Sequence, residues 1–209
     1  FPYFSRNIGE FWRRWHISLS FWLRDYLYIS LGGNRKGDYR SYANLFTVMI
    51  VGGLWHGSAW NFLIWGALHG VYLAIYKMLV SKFPSLEDNQ LLKSRKWKII
   101  SILTTQYFVF LAYVAFRVED VSALPYVLYK YVIWDFATEA TIEILSHNKL
   151  PLLLIVGFFI LSYISYKKNI TKILSELKIR YWILILFGMM TLILLFYDPF
   201  PEEFIYFRF

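Results

Sequence analysis

Residues 43–80 decide the fold of this chain, and they read ANLFTVMIVGGLWHGSAWNFLIWGALHGVYLAIYKMLV. The second half of the stretch, residues 60–80, is apolar over the roughly 20 positions that a helix needs to cross the hydrocarbon core of a membrane. The first half, residues 43–55, is shorter and contains a pair of adjacent glycines. We therefore predict a broken or re-entrant helix over residues 43–55 that is joined to a full membrane span.

Three further apolar blocks continue this pattern, at residues 99–116, 150–166 and 181–197. The chain has 209 residues, of which 58% are hydrophobic and 17% are charged. A soluble domain carries roughly a quarter charged residues. No internal repeat or low-complexity linker divides the sequence. We predict an all-α, multi-spanning transmembrane protein in which residues 1–209 form a single membrane domain.

The charged residues are distributed unevenly among the connections. Residues 1–42, 77–98 and 167–180 are rich in Lys and Arg, whereas residues 117–149 and 198–209 carry more Asp and Glu. Basic and acidic connections thus alternate each time the chain crosses an apolar block, which is the positive-inside pattern of membrane proteins. It places the basic connections in the cytoplasm and the acidic ones outside. Because this pattern accounts for the net charge of +8, we expect membrane lipids and no nucleic acid as partners.

Residues 7–31 differ from these blocks because they are amphipathic. One predicted helical face is apolar and consists of Trp12, Trp15, Leu19, Trp22, Tyr26 and Ile29. A second stripe is polar and consists of Arg13, His16, Ser20 and Arg24. The pattern predicts one helix that lies at the membrane interface or lines a wet cavity, and that ends at Gly32 and Gly33. The polar stripe either contacts an anionic or polyhydroxylic substrate or meets water and lipid headgroups.

The four histidines are the candidates for catalysis, because the chain has no cysteine and few carboxylates in apolar surroundings. His147 follows an acidic connection and is interpreted as a solvated loop residue. His56 lies at membrane depth between glycines, where an ionisable group is costly and favours a functional role. A neutral imidazole that joins two helices is the alternative. For His69, thirteen residues later, a packing role and a direct role are both open.

No other motif in the sequence points to a known chemistry. The glycine- and lysine-containing stretch at residues 32–37 is rich in backbone donors that could hold a phosphate, but it lacks the ending of a nucleotide P-loop. A helix-ending turn explains the same stretch equally well. The sequence contains no zinc-protease motif and no nucleophile elbow, so we predict no metal site.

Two long motifs closely resemble the signatures of the membrane-bound O-acyltransferase family. The first is EFWRRWHISLSFWLRDYLYISLGGNRKG at residues 10–37, and the second is GGLWHGSAWNFLIWGALHG at residues 52–70. FRVED at 116–120 and the closing FIYFRF also fit. Within the family, these motifs are most similar to those of the bacterial alginate O-acetyltransferase branch and its peptidoglycan-acetylating relatives. Ser30 departs from this branch, which usually has proline there. The resemblance implies that the chain is the C-terminal part of a longer protein.

The resemblance also implies an activity and a set of site residues. The family's invariant histidine falls on His56, as general base, and its second polar active-site position falls on His16. His69 matches a common family histidine. We predict that His69 binds substrate together with three residues of the polar stripe described above, Arg13, Ser20 and Arg24. The implied reaction transfers an acyl group from a thioester donor, acetyl-CoA or an acyl carrier, to a polysaccharide hydroxyl, without a permanently bound cofactor.

The implied setting is the inner membrane of a bacterium, with a periplasmic or extracellular acetyltransferase as a partner protein. D-alanyl transfer to teichoic acid is an alternative within the family. From other classes, a transporter would also place polar residues in broken helices, but the four apolar blocks contain no Asp or Glu to couple ions. A non-catalytic subunit that docks a partner is the third alternative.

Overall fold

The computed structural model describes residues 1–84, 94–134, 138–168 and 170–195, and in these ranges the chain forms helices and no strand. This confirms the predicted all-α class. The chain forms two compact units, the first over Phe1–Asp135 and the second over Phe136–Arg208.

The first unit contains most of the packed structure. Its α-helices are α1 (Ile8–Arg14), α2 (Ile17–Trp22), α3 (Asp38–Leu54), α4 (Trp60–Lys82), α5 (Arg95–Arg117) and α6 (Leu124–Ile133). A 3₁₀ turn at Pro2–Phe4 precedes α1, and a π-helix at Leu23–Tyr28 follows α2. The second unit contains α7 (Thr138–His147), α8 (Lys149–Lys167), α9 (Ile170–Ser175) and α10 (Ile179–Leu195).

Within the described residues, three helices are long and apolar enough to cross a membrane, namely α4, α5 and α8. They correspond to the apolar blocks predicted at residues 60–80, 99–116 and 150–166. The block at 181–197 corresponds to α10, an apolar helix of 17 residues, and its last two residues lie outside the described ranges.

Helices α3 and α4 form an antiparallel hairpin whose two backbones touch. A Cβ atom on Gly53 would overlap the carbonyl oxygen of Phe62, and one on Gly66 would overlap that of Met49. Only glycine allows so close an approach at these two positions. Helix α3 therefore runs unbroken through its glycine pair, and the break predicted near them comes later, in the turn at residues 55–59.

The prediction of one continuous helix over residues 7–31 was wrong. Helix α1 ends at Arg14, and α2 begins at Ile17 after a break in which His16 has φ +41° and ψ 54°, a left-handed conformation that is uncommon outside glycine. The Ser20 hydroxyl stabilises the break by donating to the Trp15 carbonyl (3.1 Å). Because the chain changes direction here, Trp12 is buried in the core while Trp22 is exposed.

The core of the first unit lies where α1, α3, α4 and α5 meet. Its buried apolar side chains are Ile8, Phe11, Trp12, Met49, Trp65, Val109 and Ala112. The start of α1 is fixed by its own polar groups, since the Asn7 side chain accepts from the Glu10 amide (2.7 Å) and Glu10 accepts from the Arg6 amide (2.6 Å). This capping anchors the aromatic residues of α1 against the hairpin.

The predicted end of the amphipathic region at Gly32 and Gly33 is confirmed, since both have positive φ, +104° and +53°. The turn that they form is tied to α3, because the Asn44 amide donates to the Leu31 and Gly33 carbonyls (3.3 and 3.1 Å). It is thus held by side-chain hydrogen bonds rather than by packing alone.

The second unit has a different surface. None of the side chains of α8 and α10 is buried among the described residues, although both helices are almost entirely apolar. An apolar helix that is exposed on all sides needs lipid or further protein around it. The exposed apolar surface of α8 and α10 is typical of a membrane protein.

Candidate active site

His56 lies in the turn between α3 and α4, enclosed by aromatic rings. Its backbone amide donates to the Gly53 carbonyl (3.0 Å), so the hydrogen bonding at the end of α3 continues into the turn. The imidazole is approached edge-on by three rings, with centroid distances of 5.0 Å to Trp55, 5.2 Å to Trp65 and 5.1 Å to Phe116. The residue is 9% exposed. The ring is therefore largely shielded from water.

The next residue, Gly57, has φ +153°, and a Cβ atom there would lie 2.6 Å from the ring of Phe62. Phe62 in turn packs on Phe116 at 4.8 Å. The side-chain amide of Asn61 donates to the Phe116 carbonyl (2.7 Å) and connects the start of α4 to the end of α5. The turn around His56 is thus fixed on both sides by glycine geometry and by a hydrogen bond between helices.

His16 comes to the same place from a different part of the chain. Its ring meets Trp55 edge-on at 5.5 Å, so one indole contacts both His16 and His56. The left-handed backbone at His16 produces this placement, and such strain is retained where the surroundings hold it in place. The structure therefore brings together two of the histidines that the sequence analysis selected.

His69 is fully buried, with 0% exposure. The indole nitrogen of Trp12 donates to its Nδ1 (3.3 Å), so Nδ1 carries no proton and the neutral ring holds its proton on Nε2. The ring is stacked parallel to Phe11 at 6.1 Å and lies 4.8 Å from Trp65. Of the two roles left open for His69, this environment favours packing.

The predicted polar stripe is divided by the break in the helix. Ser20 and Arg24 line a cavity of about 350 Å³ beside α3 and α4. Arg24 forms two hydrogen bonds to Asp25 (2.7 and 3.1 Å), and these bonds hold the pKa of that carboxyl below its usual range. Arg13 is exposed in the last turn of α1 and does not line this cavity. His147 is exposed at the end of α7, a helix rather than the predicted loop.

Sequence reasoning missed the aromatic residues that complete this arrangement. Trp55, Trp65 and Phe116 form the enclosure of His56, and all three lie in the motifs already quoted. Their spacing is compatible with ordinary core packing, so it gave no signal of a site. Among the described residues, no group of three or more metal-ligating side chains is found.

The chain matches the model of the MBOAT, membrane-bound O-acyltransferase family over residues 3–115. It is 44% identical over 164 residues to a probable alginate O-acetylase, AlgI, of Pseudomonas aeruginosa, an alignment that covers 78% of this chain and 29% of the relative. It is 43% identical over 130 residues to a peptidoglycan O-acetyltransferase of Helicobacter pylori, covering 61% and 23%. A teichoic acid D-alanyltransferase of Streptococcus thermophilus is 32% identical over 130 residues, covering 55% and 31%. The chain thus spans less than a third of the length of these relatives.

Proposed function

The chain belongs to the membrane-bound O-acyltransferase family, and from this premise we propose that it carries the reaction site of an enzyme that O-acetylates a cell-surface or exported polysaccharide. One observation carries the proposal: the indole of Trp55 contacts two imidazoles, the buried His56 and the exposed His16. The names of the relatives support the proposed acceptor class, alginate-like or peptidoglycan.

In the proposed reaction His56 acts as the general base. It takes the proton from an acceptor hydroxyl as the hydroxyl oxygen attacks the carbonyl carbon of an acyl thioester. The carbon–sulfur bond then breaks, and the thiol leaves with the proton that His56 returns. The products are an ester and a free thiol. His16 positions the acceptor or the acyl group by hydrogen bonding.

The donor in this proposal is acetyl-CoA or an acyl carrier, which supplies the activated acyl group without a resident cofactor. Substrate contacts from Arg13, Ser20 and Arg24 are part of the same proposal. Ser20 and Arg24 support it because they line one cavity. His69 is assigned to packing instead, since it has no exposed surface.

We place the enzyme in the inner membrane of a bacterium, where the acyl group crosses from the cytoplasm to the outer side. Three apolar helices and the alternating charge of the connections support a multi-pass orientation. A periplasmic or extracellular acetyltransferase is the proposed partner that acts with the membrane enzyme.

A second candidate is D-alanyl transfer to teichoic acid, because a relative that is 32% identical bears that name. The two candidates differ in the acyl donor. Membranes that contain the protein should transfer radiolabelled acetyl groups to alginate or peptidoglycan if the first proposal is right. Transfer of D-alanine alone would favour the second.

The experiment that separates an enzyme from a transporter or a docking subunit uses His56→Ala in this transfer assay. We expect covalent product to disappear in His56→Ala and to persist in His147→Ala, a matched control because His147 is an exposed histidine in the second unit. Normal product with His56→Ala would reject the proposed mechanism.

A further inference from the structure

A second cavity, of about 490 Å³, lies between the membrane helices α4 and α5. It shares no lining residue with the cavity that contains Ser20 and Arg24. Its lining comes from residues 71–79 of α4, from one face of α5 between Trp97 and Phe108, and from Arg6 to Ile8. The proposed acyl transfer uses none of these residues, so this second cavity, the α4–α5 cavity, needs another explanation.

The α4–α5 cavity is about as deep as one leaflet of a membrane. Trp97 and Phe108 are eleven residues apart on α5, roughly 16 Å along the helix axis. One half of a hydrocarbon core of roughly 30 Å is about 15 Å thick. Trp97 lies in the first turn of α5, so the cavity begins at one end of the membrane span and extends to about its middle. An acyl chain that enters from this end would reach the bottom of the cavity.

The charged end of the cavity is the end near the membrane surface. Gly9 faces the ring of Tyr76, because a Cβ atom there would lie 2.8 Å from that ring. Trp12, one turn further along α1, donates to His69. Helix α1 therefore runs antiparallel to α4, and Arg6, which precedes Gly9, lies toward the last turns of α4. Among the described residues that line the cavity, Arg6 alone is charged.

The charge of Arg6 is only partly compensated within the protein. Glu10 uses one carboxylate oxygen to accept from the backbone amide of Arg6 (2.6 Å) and the other to pair with Arg14 (2.5 Å). The guanidinium of Arg6 lies 3.6 Å from Glu10 and donates no hydrogen bond within the described part of the chain. Two arginines thus share one carboxylate, and the group keeps a net positive charge.

Further basic residues surround the same end of the cavity. Lys82 ends α4, and Arg95, Lys96 and Lys98 begin α5, all of them exposed. Trp97, which lines the cavity among them, is a residue typical of the membrane interface. The charge pattern of the sequence predicts that this end faces the cytoplasm, where the membrane surface carries anionic lipids.

We infer that the α4–α5 cavity holds one anionic phospholipid, with its phosphate at Arg6 and one acyl chain along the groove. A guanidinium with unused N–H groups binds two phosphate oxygens at once. The side-chain NH₂ of Asn7 is a second donor, because only the oxygen of that amide is used, by the Glu10 backbone. A soluble anion would occupy the charged end and leave the apolar depth unfilled. The inference does not depend on the proposed acyl transfer.

The test is native mass spectrometry of the full-length protein, released from micelles that contain phosphatidylglycerol and phosphatidylcholine in equal amounts and with identical chains. We expect the wild type to retain one lipid and to prefer phosphatidylglycerol by about fivefold, as one basic side chain near a membrane surface predicts. Arg6→Gln should remove the preference. Lys98→Gln is the matched control, because it removes one charge at the same end of α5 but lies outside the cavity.

A second pair of variants tests the depth of the cavity. Thr104 lines the middle of it and is exposed, so Thr104→Trp should fill the groove and abolish retention of both lipids. Leu103→Trp, at the adjacent exposed position outside the cavity, should retain lipid as the wild type does. If Thr104→Trp fails to fold, Arg6→Gln alone decides, since its side chain is exposed.

Two results would overturn the inference. One is a wild-type protein that retains no lipid or retains both lipids equally, as it would if another protein segment covers the cavity. The other is an unchanged preference for phosphatidylglycerol in Arg6→Gln, which would place the headgroup elsewhere. Because retention is measured without acyl donor or acceptor, failure of acyl transfer would not affect either result.

Discussion

The surroundings of His56 and His69 differ although the two residues share one helical hairpin and both contact Trp65. His69 is fully buried, stacked on Phe11 and hydrogen-bonded to Trp12. His56 lies in the turn, where ring edges approach it and a second imidazole lies beyond Trp55. An imidazole with a fixed hydrogen-bond partner in the core stabilises the fold. His56, which shares the Trp55 indole with a second imidazole at the end of the hairpin, is the residue that we propose for the chemical step.

The two regions are held in register by the glycine contacts of the hairpin, so the largest effect should come from breaking these contacts. In Gly66→Val the new side chain would overlap the Met49 carbonyl, and the helices would have to separate. We expect a loss of about 3 kcal/mol or more in the free energy of unfolding, measured in mixed micelles. Gly157→Val is the matched control, because a Cβ atom there meets nothing within 4 Å. Equal stability of the two variants would show that the backbones do not touch.

A change at each histidine should separate activity from stability. General-base assistance is typically worth about 10²–10⁴-fold, so His56→Gln should reduce turnover by at least about a hundredfold while thermal stability stays near that of the wild type. His69→Leu keeps a similar volume but leaves the Trp12 indole without its acceptor, at a cost of about 1–3 kcal/mol. Loss of folding in His56→Gln would instead make that residue a structural bridge between helices.

The hydrogen bond itself can be isolated with a double mutant. Trp12→Phe leaves Nδ1 of His69 without a donor and should destabilise the protein by about 1–3 kcal/mol. In the Trp12→Phe/His69→Leu protein both partners are apolar, so the second change should cost much less than it does alone. Full additivity in thermal unfolding would contradict the tautomer assigned to His69.

The sequence predicted the helical class and the first three full-length apolar blocks, because apolar length is a local property. It also selected His16 and His56. The spacing of thirteen residues between His56 and His69 does not show that the two lie on either side of a helix start and both contact Trp65. Nor does periodicity show where a helix bends. The left-handed backbone at His16 depends on Trp15 and Ser20 acting together, which no spacing rule describes.

A smaller effect is expected at the exposed side of the candidate site. His16→Ala should reduce acyl transfer by roughly tenfold. The loss of this imidazole affects the positioning of the substrate, whereas His56 still removes the proton. Arg13→Ala should change transfer less, since Arg13 is exposed and lines no part of the cavity. Insertion into membranes is the control for both variants. Full activity in both would assign the whole stripe to the membrane interface.

The last prediction concerns which side of the membrane each end of the hairpin faces. The cysteine substitutions that test it should leave activity and stability unchanged. The chain has no native cysteine, so single substitutions give an unambiguous label. All three chosen positions, Ser94→Cys, Glu139→Cys and Ser175→Cys, are exposed. The charge pattern predicts that an impermeant thiol reagent labels only position 139 in intact cells. Because Ser94 follows the Lys77 end of α4, its protection would put that end in the cytoplasm, where thioester donors are made, and the His56 end toward the acceptor. Labelling at position 94 or 175 would reverse the orientation and with it the direction proposed for acyl transfer.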